Sequence, residues 1–372
     1  MGLGCYTKFM KKRRVLLGIL CSVTIAILIA ITGFLYLVEL FTSPPTDTSP
    51  LPELPRETVS VGGLFMIGHW AYTPVASTTA LIAEHQFAGV IIMSAPKDPT
   101  EIRDWVAAWN EVSTKPLIIG IDQEGGPVSR LAGTGFTPTG QRDISDKETA
   151  YEVGLKRGQE LAALGINMNF APVLDMAKNP DSFMYERVFP DSEGAADLAT
   201  ALAQGMQAAG ITPVAKHFPG HDDTNTDSHL TLPSVTITQE ELPLFAQAFE
   251  QYLTSKPPAL MTAHVIFPEI DTYPATLSHF FLTDYLRHEL KFTGVIITDD
   301  MSMDAIDTTW STPEATVLSL KAGADLILFA AEPGAAVTAL ARVKQAQVSG
   351  ELSIDTLRKN LERIDLLRPI IE

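Results

Sequence analysis

The densest run of reactive side chains lies between Lys216 and His229. It reads Lys-His-Phe-Pro-Gly-His-Asp-Asp-Thr-Asn-Thr-Asp-Ser-His. His217 and His221 have the i, i+4 spacing of a helical zinc site, but the Pro-Gly pair between them breaks a helix and no Glu follows His217. We therefore predict a site without a metal, and zinc held by His and Asp together stays an alternative.

Asp227 and His229 have types and spacing that suit acid/base catalysis. A carboxylate beside an imidazole fixes its tautomer and raises its proton affinity, so His229 can protonate a leaving oxygen and later deprotonate water. In retaining glycoside hydrolysis a separate carboxylate attacks the anomeric carbon. Asp299, in the segment Thr-Asp-Asp-Met, is the natural candidate, and its neighbour Asp300 is predicted to cap or orient the following loop.

Eight short apolar runs alternate with helix-type segments after residue 58. The runs lack alternating polarity, which indicates strands covered on both faces. Eight such units match a single (β/α)8 TIM barrel. A doubly wound open sheet is the alternative, although no Gly-x-Gly-x-x-Gly turn follows the first run. The runs are Gly62–Ile67, Gly89–Ser94, Pro116–Asp122, Ile166–Pro172, Thr212–His217, Ala259–His264, Gly294–Asp299 and Asp325–Ala330, and the helical stretches include 147–164, 193–209, 239–254, 279–290 and 313–322.

Several of these runs end in, or lead directly to, charged or imidazole side chains, namely Asp122, Asp175, Lys216 with His217, His264 and Asp299. The active site of such a barrel lies at the C-terminal ends of its strands, and a buried charge is costly unless it is paired. We therefore expect these side chains to share one polar site. For His264 we favour a donor that supports the site from behind the sixth strand end, and the alternative is a core histidine whose hydrogen bonds are satisfied.

Composition limits the classes of protein to consider. The 372 residues include 27 Lys+Arg against 44 Asp+Glu, a formal charge of −17, and 46% of them are apolar. The apolar share suffices for a globular core, and two cysteines exclude a disulfide-built scaffold. The acidic balance argues against nucleic acid as a partner, since a basic face is needed to neutralise phosphates.

The N-terminal part of the chain predicts an anchor. Residues 1–14 carry five basic side chains and no acidic one, and residues 15–38 carry no charge. A helix of that length can cross a ~30 Å hydrocarbon core, so we predict a single-pass membrane protein with a cytoplasmic N-terminus. A cleaved signal peptide is the alternative. Residues 39–57, rich in proline, predict a linker, and 58–372 an extracellular catalytic domain.

Several long motifs resemble the family 3 glycoside hydrolases of the β-N-acetylglucosaminidase branch. The histidine-rich run is accompanied, in the family's order, by Gly-Ile-Asp-Gln-Glu-Gly-Gly from Gly120 and by Asn-Phe-Ala-Pro-Val-Leu-Asp ending at Asp175. Ala-His at His264 and the Thr-Asp-Asp-Met segment complete the set. The resemblance covers nearly all of residues 58–350.

This resemblance implies roles for individual residues. Asp299 matches the nucleophile that forms a covalent glycosyl-enzyme, His229 matches the acid/base, and Asp227 matches its partner. The positions that match sugar-binding residues are Asp122, Arg130, Arg187, Lys216 and His217, and we add His264 beside them. The implied substrate is a terminal β-linked N-acetylglucosamine, as in peptidoglycan fragments or chitooligosaccharides. We expect a monomer that needs no cofactor.

Three departures from the family pattern leave alternatives open. Residues 185–190 differ from a frequent Gly-Asp-Arg-Ser-Phe-Gly around Arg187, Pro127 replaces a frequent Arg, and Asp222 replaces a common Gly. A β-glucosidase-like enzyme, an N-acetylglucosaminide phosphorylase and a non-catalytic sugar-binding surface protein remain alternatives. The intact Asp227, His229 and Asp299 argue against the last.

Overall fold

The described part of the chain forms a closed barrel of eight parallel strands. The structure, a computed structural model, describes Thr32 and residues 58–190, 194–221, 232–307 and 309–369. The strands are β1 Phe65–His69, β2 Gly89–Ile92, β3 Ile118–Ile121, β4 Met168–Asn169, β5 Thr212–Phe218, β6 Ala259–Thr262, β7 Val295–Asp300 and β8 Leu326–Phe329. Around the ring they follow the order β1-β8-β7-β6-β5-β4-β3-β2, so the predicted barrel is confirmed and the open sheet is excluded.

Helices cover the outside of the barrel. Among the described residues they are Val75–His85, Glu101–Val112, Lys147–Ala162, Ala195–Ala208, Leu242–Phe245, Gln247–Leu253, the π-helix Phe280–Glu289, Asp304–Asp307, Thr312–Ala322, Pro333–Ser349 and Ile354–Asp365. Short 3-10 turns lie at Val61–Leu64, Gln141–Asp143, Tyr185–Arg187 and Ala275–Leu277. The stretch predicted as one helix over 239–254 is divided in two at Ala246.

Burial of both strand faces explains the uninterrupted apolar runs. Every residue of β1, β2, β3, β6 and β8 is buried. The barrel interior is tightly filled, because a Cβ on Gly120 would lie 2.8 Å from side-chain atoms of Met66 and Phe170. Side chains of successive residues point to opposite sides, so β1 directs Met66 into the barrel and His69 into the helix layer.

The predicted transmembrane helix requires a correction. No helix in the described ranges is both long enough and apolar enough to cross a membrane. The longest, Pro333–Ser349, has 17 residues, fewer than the ~20 apolar residues a span needs. Apart from Thr32, residues 1–57 lie outside the described part, so the tail, the linker and the extracellular location stay predictions. The prediction of a span over residues 15–38 used their number, their apolar composition and the absence of charge.

A buried carboxylate ties the N-terminal end of the barrel to two helices. Asp325, just before β8, is fully buried. It accepts hydrogen bonds from Arg287 Nη2 at 2.5 Å, Arg363 Nη1 at 2.8 Å and the Ile296 backbone N–H at 2.8 Å. Burial raises the pKa of Asp325, although the two guanidinium groups act against that rise. This cluster lies at the barrel end opposite the predicted site, so its role is structural.

Asp325→Asn is therefore expected to reduce stability without changing catalysis. Loss of the charge leaves two guanidinium groups without their carboxylate, which costs about 3–5 kcal/mol for a buried pair. Denaturant unfolding measures the loss, with Asp355→Asn as the control because its pair with Arg358 is exposed. An equal loss of stability in Asp325→Asn and Asp355→Asn would contradict the structural role of Asp325. A tenfold fall in kcat/KM in Asp325→Asn would contradict the location of the active site at the opposite end of the barrel.

His69 is a second buried titratable group in the fold. Its ring packs edge-on against Trp105 and Trp109 at 4.7 and 4.9 Å, and Nδ1 hydrogen-bonds to Thr78 Oγ1 at 2.9 Å. Among the described residues no partner lies within hydrogen-bond distance of its Nε2 atom. Burial lowers the pKa of His69 to about 4, so the folded protein holds this ring neutral.

Stability is expected to fall as the pH decreases from about 6.5 to about 4. In this window the unfolded chain binds a proton at His69 that the folded protein does not, so the free energy of unfolding decreases by about 2–3 kcal/mol. His69→Asn should remove that part of the pH dependence, whereas the exposed control His279→Asn should keep it. Unfolding curves at several pH values test this, and an unchanged slope in His69→Asn would contradict it.

Candidate active site

One cavity of about 490 Å³ opens at the C-terminal ends of the strands. This is the barrel end where the polar strand ends were predicted to meet. The predicted site residues that line it are Asp122, Arg130, Arg187, Lys216, His217 and Asp299. Asp227 and His229 lie outside the described residues.

A chain of ion pairs forms one wall of the cavity. Lys216 Nζ lies 2.7 Å from Asp122 Oδ1 and 2.7 Å from Glu124 Oε1. Arg187 binds Glu124 with two hydrogen bonds of 2.9 and 3.0 Å, and Arg130 Nη2 lies 3.1 Å from Asp122 Oδ2. Each carboxylate therefore faces two cations. Such paired, charge-assisted contacts fix donor directions more firmly than isolated side chains do.

The electrostatics of this wall keep Asp122, Glu124 and Lys216 charged. Burial alone would raise the pKa of Asp122, but the charges of Lys216 and Arg130 hold it well below its usual range. Burial alone would also raise the pKa of Glu124, but the charges of Arg187 and Lys216 lower it. Burial would lower the pKa of Lys216, but the two carboxylates raise it. The wall thus presents fixed ammonium, guanidinium and carboxylate groups suited to binding hydroxyls.

Glu124 is the member of this wall that sequence analysis did not assign. It lies in a hairpin of two short strands, Gln123–Gly125 and Val128–Ser129. The Asn169 side chain fixes the Gln123 backbone with hydrogen bonds of 2.9 and 3.0 Å. Gly125 has φ of +82°, and a Cβ there would lie 2.0 Å from the Thr139 carbonyl oxygen. The sequence feature that could have identified Glu124 is its spacing from Asp122, Asp-x-Glu, followed by two glycines.

A second buried pair positions the imidazole of His217. Its Nδ1 lies 2.6 Å from Asp175 Oδ2, and the backbone N–H of His221 donates to Asp175 Oδ1 at 2.7 Å. Burial would raise the pKa of Asp175, but His217 lowers it to about 2. Because an ionised carboxylate only accepts, Nδ1 of His217 carries the hydrogen. The ring then directs Nε2 to within 3.9 Å of Asp299 Oδ2.

The neighbouring His221 is kept neutral by its burial. Its ring meets the His217 ring edge-on, with centroids 5.5 Å apart. Burial lowers the pKa of His221 to about 4, so this ring is neutral near pH 7. As the Pro-Gly pair predicted, the two histidines do not share a helix, because His217 lies in β5 and its Nδ1 faces Asp175.

Asp299 and Asp300, at the end of β7, have different surroundings. The side chain of Asp299 lines the cavity and is 16% exposed. Asp300 accepts hydrogen bonds from Ser302 Oγ at 2.6 Å and from the backbone N–H groups of Ala330 and Ala331 at 3.0 and 2.8 Å. The prediction that Asp300 orients the adjoining loop is confirmed. Asp300 also lines the cavity, but its two carboxylate oxygens are occupied by these donors.

His264 does not line the cavity, in contrast to the substrate contact that we expected. It is fully buried, with Nδ1 2.8 Å from Thr276 Oγ1 and Nε2 3.0 Å from the Asp300 carbonyl oxygen. Since a carbonyl only accepts, Nε2 carries the hydrogen and Nδ1 accepts from the hydroxyl. Both bonds are internal to the protein. His264 therefore supports the backbone beside Asp299 rather than contacting a ligand.

The structure describes two of the three departures from the family pattern, the loop around Arg187 and Pro127. Both are compatible with the cavity. Arg187 lies in the 3-10 turn Tyr185–Arg187 and reaches Glu124 despite its altered loop. Pro127 and Val128 line the cavity. Asp222 lies outside the described residues.

Comparisons with known proteins give the same family as the motifs. The model of the glycosyl hydrolase family 3 N terminal domain matches residues 58–367. A β-hexosaminidase of Pseudomonas aeruginosa is 33% identical over 289 residues, which are 76% of this chain and 87% of that protein. The chain therefore belongs to glycosyl hydrolase family 3, and it is a glycoside hydrolase.

Solved structures agree with the fold. The family 3 β-N-acetylglucosaminidase of Paenibacillus sp. matches with a TM-score of 0.77 and 36% identity. The match covers 83% of this chain and 61% of the Paenibacillus chain, so the present chain spans less than two thirds of that protein. A β-N-acetylhexosaminidase of Beutenbergia cavernae matches with a TM-score of 0.74 and 30% identity, covering 82% of this chain and 96% of the other.

Proposed function

We propose that this chain is a retaining β-N-acetylglucosaminidase that removes terminal β-linked N-acetylglucosamine. The observation that carries the proposal is the position of Asp299, which faces a cavity that is also lined by the ion-paired side chains of Asp122 and Lys216. The names of the similar Pseudomonas and Paenibacillus proteins support the same activity. Peptidoglycan fragments and chitooligosaccharides are the proposed substrate class.

The proposed mechanism has two displacement steps. Asp299 attacks the anomeric carbon while His229 protonates the glycosidic oxygen, which releases the leaving group and forms a glycosyl-enzyme. Water then attacks the same carbon, His229 takes its proton, and the Asp299–sugar bond breaks. Each step inverts the configuration at the anomeric carbon, so the two steps together retain it. Asp227 is proposed to hold the imidazole of His229 in the tautomer that these transfers require.

The ion-paired wall is proposed to bind the sugar that is cleaved off. Asp122 accepts hydrogen bonds from hydroxyls, and Lys216, Arg130 and Arg187 donate to them. Because these groups are held by one another before the sugar arrives, little ordering is needed on binding. His217, fixed by Asp175, supplies a further polar contact beside Asp299.

Hydrolysis of small aryl glycosides tests the function. The full chain is expected to cleave 4-nitrophenyl N-acetyl-β-glucosaminide faster than the matching β-glucoside. NMR is expected to show that the released sugar first appears as its β anomer. Added phosphate is expected to leave the product as free sugar. A preference for the glucoside, an α product or a sugar 1-phosphate would each contradict the proposal, and the last would identify a phosphorylase.

A further inference from the structure

Two aromatic side chains project from the turn that follows β1, at the edge of the active-site cavity. The indole of Trp70 lines the cavity, whereas the phenol ring of Tyr72 is 79% exposed. The two rings are nearly parallel, at 21°, with centroids 5.7 Å apart. The pair therefore extends an aromatic surface from the inside of the cavity to the solvent.

The turn that carries this pair is well fixed. The Thr73 backbone N–H donates to the Trp70 carbonyl oxygen at 2.8 Å, and the Ala71 N–H donates to Ser94 Oγ at 2.9 Å. The indole nitrogen of Trp70 is itself buried, so that edge of the ring is inserted into the protein. A rigid aromatic surface loses little conformational freedom when a ligand covers it.

The location of the pair separates it from the groups that bind hydroxyls. In the order of strands around the barrel, β1 lies directly across from β5, which carries Lys216. The cavity wall at the ends of β1, β2 and β8 is mainly apolar and contains Trp70, Ile91, Met93, Leu328, Ala330 and Ala331. One side of the cavity is therefore charged and the other is apolar and aromatic.

A pyranose ring suits an aromatic surface because its C–H groups form an apolar face while its hydroxyls point outward around the rim. Apolar and aromatic lining with a few placed polar groups is the usual composition of small-molecule sites, and exposed Tyr and Trp combine an apolar body with a polar tip. In an enzyme that removes a terminal sugar, the cleaved ring occupies the closed, charged part. The next ring must lie nearer the solvent, where Tyr72 is exposed.

We propose that Trp70 and Tyr72 form a stacking subsite for the sugar ring on the leaving-group side of the scissile bond. This inference rests on the proposed function and deepens it. This subsite would let the enzyme distinguish a saccharide leaving group from a small one. Its aromatic surface contacts neither the cleaved sugar nor the reacting atoms.

The test compares kcat/KM for N,N′-diacetylchitobiose, which has a second ring, with kcat/KM for methyl N-acetyl-β-glucosaminide, which has none. Tyr72→Ala is expected to lower the ratio of the two values about 5- to 10-fold, as loss of a stacking partner does. Tyr72→Phe should keep the ratio because it keeps the ring. Tyr151→Ala is the matched control, since Tyr151 is 39% exposed on the outer helix Lys147–Ala162.

The outcomes separate this inference from the proposed function. If the wild-type enzyme cleaves both compounds and Tyr72→Ala changes the ratio by less than twofold, the subsite is overturned and the function stands. An equal change in Tyr151→Ala also overturns the subsite. If the wild-type enzyme cleaves neither compound, both proposals fail. Because Tyr72 is largely exposed, its replacement leaves the buried core unchanged.

Discussion

Asp299→Ala is expected to lower kcat by at least about 10⁴-fold, since no other step can replace formation of the glycosyl-enzyme. Among the contacts that the change removes is the hydrogen bond from the Asp300 backbone N–H to Asp299 Oδ1 at 2.8 Å. Steady-state kinetics with an aryl N-acetyl-β-glucosaminide measure the effect, and circular dichroism checks the fold. Asp181→Ala, at an exposed position, is the control and should stay within twofold of wild type.

Azide can separate the two catalytic roles in the same experiment. With Asp299→Ala and an activated aryl substrate, azide is expected to attack in place of the missing carboxylate and give the α-glycosyl azide. With His229→Ala the glycosyl-enzyme still forms, so azide should give the β-glycosyl azide. A β product from Asp299→Ala, or a kcat within tenfold of wild type, would contradict the assignment of the nucleophile.

Lys216→Met is expected to lower the free energy of unfolding by about 3–5 kcal/mol, because it removes a cation that Asp122 and Glu124 share in a buried site. Lys216 is only 3% exposed, with both carboxylate contacts at 2.7 Å. The same change should reduce kcat/KM strongly, since Asp122 and Glu124 lose the charge that fixes them. Denaturant unfolding and steady-state kinetics measure the two effects.

Two further variants make this prediction specific. Glu124→Gln added to Lys216→Met should recover part of the lost stability, because it removes one uncompensated charge, without restoring activity. Lys321→Met is the control, since its pair with Glu351 is exposed and should contribute less than about 1 kcal/mol. If Lys216→Met is as stable as the control, the ion-paired wall does not have the role described.

The barrel was predictable from sequence because its strands are buried on both faces. Each of the eight apolar runs overlaps one strand, although the run Ile166–Pro172 contributes only the two residues Met168–Asn169. The hairpin that carries Glu124 was not predicted. Its strands have three and two residues, which is too short for any periodicity. Side-chain hydrogen bonds and glycine conformations, rather than a hydrophobic pattern, define it.

The location of the candidate site was predictable, but which of its side chains contact one another was not. The position of Asp122, Lys216 and Asp299 at strand ends brings them into one cavity, as expected from the barrel. The hydrogen bonds of His264 to Thr276 and to the Asp300 carbonyl oxygen could not be anticipated, because strand order does not determine which side chains pair. The transmembrane prediction is corrected by the described helices, none of which is long and apolar enough to cross a membrane; the predicted span, residues 15–38, lies outside the described part except for Thr32.

Trapping of the glycosyl-enzyme tests the central claim most directly. A 5-fluoro analogue of N-acetylglucosaminyl fluoride slows the second step more than the first, so the covalent species accumulates. Peptide mass spectrometry is predicted to find one sugar attached to Asp299, and none on the Asp299→Ala variant treated in the same way. Attachment to another residue while Asp299 stays unmodified would contradict the account.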